Sequence, residues 1–175
     1  MIVRTVASAL RSQAAEVIVV LGHGAAPLAT ALAAANLHPD PRLRLRLVHA
    51  DDHDEGLSAS LRRGITVAAH GRADGALVCL GDMPLVRAAT LDRLLARFDR
   101  DAGAVAWVPT VDGRRGNPVL WHSGLFAALL ALSGDRGGRL LLAQHAYQVR
   151  EVPVDDPGVL EDFDTPDRLA AYAAS

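Results

Sequence analysis

Asp82 interrupts the apolar run "LVCLGDMPLV" (77–86), with Gly81 before it and Met83 and Pro84 after it. A carboxylate fixed at the end of a buried strand suits a hard divalent cation, Mg²⁺ above all when the ion carries substrate phosphates. The same residues also suit a plain strand-to-helix turn in which Asp82 hydrogen-bonds nearby amides. Gly81 would permit an unusual backbone angle or a close approach, and Pro84 would stiffen the exit. A second candidate is "VVLGHGAAP" (19–27), where a strand meets G-x-G and then a helix, with Asp51 after the next strand. That is the outline of a dinucleotide site, and so of an NAD(P)-binding oxidoreductase. However, Pro27 stands at the third-glycine position and Asp51 comes later than the usual spacing.

The remaining reactive side chains make no competing constellation. His23, His38, His49, His53, His70, His122 and His145 are scattered, and His49 and His53 flank a loop that should be solvated. Cys79 sits inside an apolar run and reads as a buried, inert thiol of a reducing compartment. All 18 basic residues are arginine, which excludes any mechanism needing a lysine from this chain. There is no P-loop, zinc-type spacing or Ser/His/Asp set.

These residues need elements to hold them. Residues 1–13 have helical spacing, with Val3, Val6 and Leu10 on one face. "EVIVVLG" (16–22) is a continuous apolar run ended by glycine, as in a strand buried on both faces. A helix over 26–37 follows, with Pro27 in its first turn. "RLRLRLVH" (42–49) alternates, which predicts an edge strand with Leu43, Leu45 and Leu47 inward and its arginines in water. Helix 58–69, which Ser58 could cap, strand 75–81, helix 88–99 and strand 103–110 come next. "VDGRRGNP" then turns into "VLW" (119–121). Helices over 123–132 and 136–145, a strand over 147–154 and a closing helix entered through Pro166 complete the reading. Strands alternating with helices give an α/β class with a mostly parallel sheet, and 175 residues make one domain. Ligands of such a sheet bind beyond the carboxyl ends of its strands, where Asp82 lies.

Half the residues are hydrophobic but only 4% are aromatic, so Ala, Val and Leu must build the core. A net charge of −2 gives no reason to expect nucleic acid or an anionic membrane as partner. Apolar runs too short to span a bilayer and the lack of a secretion signal point to the cytoplasm.

Five stretches occur in order: "EGLSASLRRGI" (55–65), "LGDMPLV" (80–86), "DGRRGNPVL" (112–120), "LSGDRGGRLLL" (132–142) and "DDPGVLEDFDTPDRL" (155–169). Together they resemble the MobA-like nucleotidyltransferases, specifically the molybdenum cofactor cytidylyltransferase branch. The resemblance implies a Rossmann-like open sheet of the nucleotidyltransferase type with helices on both faces. It implies transfer of CMP from CTP, or of GMP from GTP, to a molybdopterin-type cofactor, with release of pyrophosphate. An acceptor molybdoenzyme or its chaperone would be a further partner.

By the same resemblance Asp82 would ligate Mg²⁺, and Gly56, Ser58, Ser60 and Gly81 would lie against the nucleotide. Asp162 and Asp164 would complete the metal site, although acids ahead of a helix also complement its dipole. Arg114, Arg115 and Asn117 occupy the turn where relatives usually read "GHPV", and an amide at 117 cannot carry a proton. Arg136 and Arg139 would bind the cofactor's phosphate, or else mark a solvated helix start.

The family opens with a strand, a glycine-rich "LAAGxSxRMG" loop and a lysine, whereas "MIVRTVASAL" matches the helix that follows that loop. The expectation is therefore a truncated domain, 1–175, whose sheet lacks its first strand and exposes unpaired edges. A non-catalytic cofactor-binding fragment is the alternative on that ground.

Overall fold

The computed structural model describes residues 1–22, 24–37, 44–52, 56–98, 103–134 and 138–163. The closing helix expected after Pro166 lies outside these residues, as do Arg136 and Asp164.

Helix α1 (Ile2–Arg11) leads to β1 (Val17–Leu21), α2 (Ala25–Ala34), β2 (Leu45–His49), α3 (Leu57–His70), β3 (Gly75–Val78) and α4 (Ala88–Leu95). Strands β4 (Ala106–Val111), β5 (Arg114–Arg115) and β6 (Val119–His122) follow. After them come α5 (Phe126–Leu130), α6 (Arg139–Gln144) and β7 (Val149–Pro153). The expected helix 123–132 is divided, with a 3₁₀ turn over Ser123–Leu125 ahead of α5. A second 3₁₀ turn, Pro157–Leu160, follows β7.

The α/β class stands, and strand pairing refines it. Strands β1 and β2 pair in parallel, as do β4 and β7. Strand β6 runs antiparallel between β3 and β4, so β3, β4 and β7 point the same way and β6 is reversed. The reason is loop length: Asp112 and Gly113, both at positive φ, make a two-residue hairpin into β5, and so short a link cannot cross over.

The two faces of β1 explain its unbroken apolar run. Val17, Val19 and Leu21 pack with Val6 of α1 and Leu32 of α2. Ile18 instead joins the cluster around Ile65 of α3, and Val20 lies against Gly64 of the same helix. Further along, Ala106, Val108, Val119 and Trp121 face Phe126, Leu129 and Leu141, whereas Trp107 and Leu120 face Leu94 of α4. Each fully buried leucine of this kind contributes about 2 kcal/mol.

The sheet is in two parts. Among the described strands β1 pairs with β2 alone and β3 with β6 alone. Both β1 and β3 are nevertheless packed by α3, through Ile18 on one side and Ala76 and Val78 on the other. Helix α1 covers β1 and also reaches the end of β3, where Ala9, like Leu77 and Leu80, packs against the cluster of Met83, Val86 and Leu91. An unpaired edge of β1 and one of β3 thus lie beneath shared helices.

Two local expectations are corrected. Arg44 is not a solvated strand residue: at φ 57° it precedes β2 and turns its guanidinium back to the end of α1. There it donates to the carbonyls of Leu10 (2.8 Å), Ser12 (3.3 Å) and Ala14, supplying the cation that a helix C-terminus favours. Arg46 does face outward, paired with Glu16 at 2.8 Å. Nor does Ser58 cap α3. The cap position belongs to Gly56, at φ 95°, a region that only glycine adopts without strain.

Candidate functional site

Asp82 follows β3 by four residues, beyond the strand's carboxyl end, in a tight turn. Met83, Pro84 and Val86 are buried behind it and fix the turn to the core. Gly81 does not take a positive φ. Its role is close approach to α1: a Cβ there would stand 3.2 Å from Ile2 Cδ1, and its carbonyl lies 3.4 Å from the Thr5 hydroxyl. The Asp82 main-chain carbonyl accepts the Phe163 N–H at 3.1 Å. Asp162, exposed, is therefore one residue from an atom hydrogen-bonded to Asp82. The resemblance had paired these two acids, and the fold brings their backbones together.

The turn bearing Asn117 joins the same assembly. Asn117 N–H donates to Val159 O at 2.9 Å, and Gly116 N–H donates to Pro109 O at 2.9 Å. Gly116 has no room for a side chain: a Cβ would lie 2.8 Å from Val159 C and 2.9 Å from its Cγ2, with the carbonyl oxygen nearer still. Segment 156–163 is thus wedged between the Asp82 turn and the Asn117 turn.

The other expected residues sit elsewhere. Gly56, Ser58 and Ser60 form the start of α3, after β2. Ser58 is wholly buried and its hydroxyl donates to Gly134 O, so it stitches this turn to the loop before α6. Arg62 adds a second stitch, reaching Leu132 O at 2.9 Å and Asp52 at 2.6 Å. Ser60 is half-buried. Arg139 is exposed at the first position of α6. Arg115 is exposed on β5 and its Nε donates to Glu151 Oε1 at 2.8 Å, across β4. Asp51 of the dinucleotide outline is exposed and 3.3 Å from His49. Burial pushes the Cys79 thiol up from 9.0 to about 12, as expected of an inert sulfur.

Sequence reasoning passed over Asp156, which is 2% exposed. Its Oδ2 accepts the Arg87 main-chain N–H at 2.9 Å and the Thr90 hydroxyl at 2.5 Å. Its Oδ1 accepts the Gly158 N–H at 3.2 Å and lies 3.6 Å from Arg87 Nε. The one local signal was an acid immediately before Pro157, the pattern of a helix cap.

Carboxylates beyond a strand end suit a hard divalent cation rather than a soft one. The site fits such an ion in one further respect: the Asp82 Oδ1 atom is buried and accepts no hydrogen bond, while the residue's main-chain carbonyl is held by the Phe163 N–H. Among the described residues no three acids, histidines or cysteines gather as a complete ligand set. No helix among them is long and apolar enough to cross a membrane.

Residues 1–149 match the family described as the MobA-like NTP transferase domain. The chain is 32% identical over 159 residues to nicotine blue oxidoreductase of Paenarthrobacter nicotinovorans, covering 88% of this chain and 73% of that protein. Rv0371c of Mycobacterium tuberculosis H37Rv is 28% identical, with TM-score 0.73, and the match covers 100% of this chain and 85% of that one. The same protein has been solved in complex with manganese (26% identical, TM-score 0.72, 100% and 87% covered). A nucleotidyl transferase from Methanothermobacter thermautotroptrophicus is 26% identical with TM-score 0.76, over 98% of this chain and 77% of that one.

Proposed function

The chain belongs to the MobA-like NTP transferase family, a family of nucleotidyltransferases, and from that premise we propose that it transfers CMP from CTP to a molybdopterin-type cofactor, releasing pyrophosphate. The observation that carries this reading is the join of Asp82 to the acid-bearing segment 161–163 through the Phe163 N–H. In it Asp82, Asp162 and Asp164 hold Mg²⁺; the manganese complex of Rv0371c supports a divalent ion in a relative. Held there, such an ion would supply positive charge against the phosphates of the nucleotide. The chain's own residues then position the partners. Ser60 approaches the nucleoside from the first turn of α3, which Gly56 allows and Ser58 anchors, and Gly81 lets the nucleotide come close. Asn117, Arg115, Arg136 and Arg139 take the cofactor, with Asn117 offering hydrogen bonds but no proton transfer. Among the described strands β1 pairs with β2 alone and β3 with β6 alone, which is compatible with the further strand that the resemblance implies. Intact mass and N-terminal sequencing of the protein made by its own cell test that point.

The test of function is incubation of that native protein with molybdenum cofactor, Mg²⁺ and either CTP or GTP, followed by mass spectrometry of the pterin product. A cytidine dinucleotide is expected. A guanine dinucleotide would move the assignment to the other branch, and no product with either would remove it. One observation favours a second reading, an oxidoreductase: the likeness to nicotine blue oxidoreductase. Enhanced NADH or NADPH fluorescence on binding would support it, and Mg²⁺-dependent CTP binding would count against it.

A further inference from the structure

We propose that Asp156 is the positioning residue that sets Asp82 and the segment 161–163 in register, and so controls divalent-ion binding; this rests on the metal reading of Asp82 given above.

Two segments of the chain close into a ring. One arm runs from Asp82 through Met83–Val86 to Arg87; the other runs from Asp156 through the Pro157–Leu160 turn to Phe163. The arms are tied at both ends. At one end the Asp156 carboxylate holds the Arg87 N–H and the Thr90 hydroxyl. At the other, the Phe163 N–H holds the Asp82 carbonyl at 3.1 Å. Between the ties the arms touch at Gly158, where a Cβ would lie 2.7 Å from the carbonyl carbon and oxygen of Leu85.

The same carboxylate organises both arms. Arg87, the cap position of α4, offers no side-chain cap of its own, and Asp156 serves from 69 residues away. It also caps the Pro157–Leu160 turn through Gly158 N–H. Every donor on it is a backbone amide, a short hydroxyl or the partly restrained Arg87, whose Nη1 is itself 3.2 Å from Asp155 O. A buried anion gripped this way has one position. The arm that continues from it therefore delivers residues 161–163 to Asp82 at a fixed offset.

The test uses Asp156→Asn and Thr90→Val in the full chain, with Mn²⁺ alone as probe. Asn keeps the shape but loses the charge and turns one acceptor into a donor facing Arg87 or Thr90. Mn²⁺ affinity, read by electron paramagnetic resonance well below each variant's melting temperature, should fall about tenfold or more in Asp156→Asn, as when groups supporting metal ligands are removed. In Thr90→Val it should fall less, in the same direction. Unchanged Mn²⁺ affinity in folded Asp156→Asn overturns the proposal. If that variant does not fold, unchanged affinity in Thr90→Val does so. Hydrogen exchange supplies a second readout independent of metal: the Phe163 amide should exchange faster in both variants while amides of β4 keep their protection. Should the unaltered chain bind no Mn²⁺, the metal reading fails. Exchange at Phe163 then still decides whether Asp156 positions Asp82, and unchanged protection there refutes it.

Discussion

Gly116→Ala isolates one contact on which the candidate site depends. The new methyl would lie 2.8 Å from Val159 C and 2.9 Å from Val159 Cγ2, where ordinary contacts begin at 3.4 Å. Gly116 does not adopt a positive φ, so the penalty is one of space. Backbone cannot yield as a side-chain tip does; Val159 must withdraw, and the Asn117 N–H to Val159 O bond of 2.9 Å goes with it. Overpacking and one lost hydrogen bond together cost about 2–4 kcal/mol. For a chain of this size that lowers the melting temperature by roughly 5–15 °C. The assay is thermal unfolding followed by circular dichroism, with Gly113→Asn as control. Gly113 has φ 73° and nothing within 4 Å of a Cβ, so asparagine there should cost only about 0.5 kcal/mol. If Gly116→Ala melts within a degree of the unaltered protein, or no lower than Gly113→Asn, segment 156–163 is not wedged against the Asn117 turn as described.

Other predictions follow from the same reasoning. Arg44→Met should destabilise by about 2–3 kcal/mol in urea titration, because it strips charged hydrogen bonds from the carbonyls at the end of α1; an unchanged midpoint would show those carbonyls are satisfied by water. Cys79 should resist iodoacetamide at neutral pH until the protein is unfolded. Its raised pKa favours the protonated thiol in the folded state, so this contribution is intact below about 9 and is lost as pH rises toward about 12. The loss amounts to at most ~4 kcal/mol. Cys79→Ala should flatten that alkaline decline, and an equally steep decline in the variant would refute the assignment.

Much of the fold was legible because apolar periodicity reports which faces are covered. The unbroken run of β1 meant helices on both sides, and Val3, Val6 and Leu10 marked the buried stripe of α1. The mostly parallel sheet read from alternating strands and helices missed the reversal of β6, although the short Asp112–Gly113 link has no room to cross over. What periodicity could not show were polar side chains spent on distant backbone. Arg44 looked like one tooth of an alternating strand, yet it serves a helix end some 30 residues earlier. Ser58 looked like a cap and instead meets Gly134. Asp156 looked like one acid among several until Arg87 and Thr90 were found on it. The grouping of Asp82 with Asp162 and Asp164 came from resemblance alone, and the join of Phe163 N–H to the Asp82 carbonyl was visible only in the fold, because no local pattern connects residues 81 apart.

The central claim is that Asp82 anchors the ion that assists nucleotidyl transfer. Its most direct test is pyrophosphate release from CTP in the presence of molybdenum cofactor and Mg²⁺, comparing the full native protein with Asp82→Asn. Loss of several kcal/mol of charge stabilisation predicts about a thousandfold slower release, with circular dichroism and melting temperature little changed. Equal release by the folded variant would contradict the account.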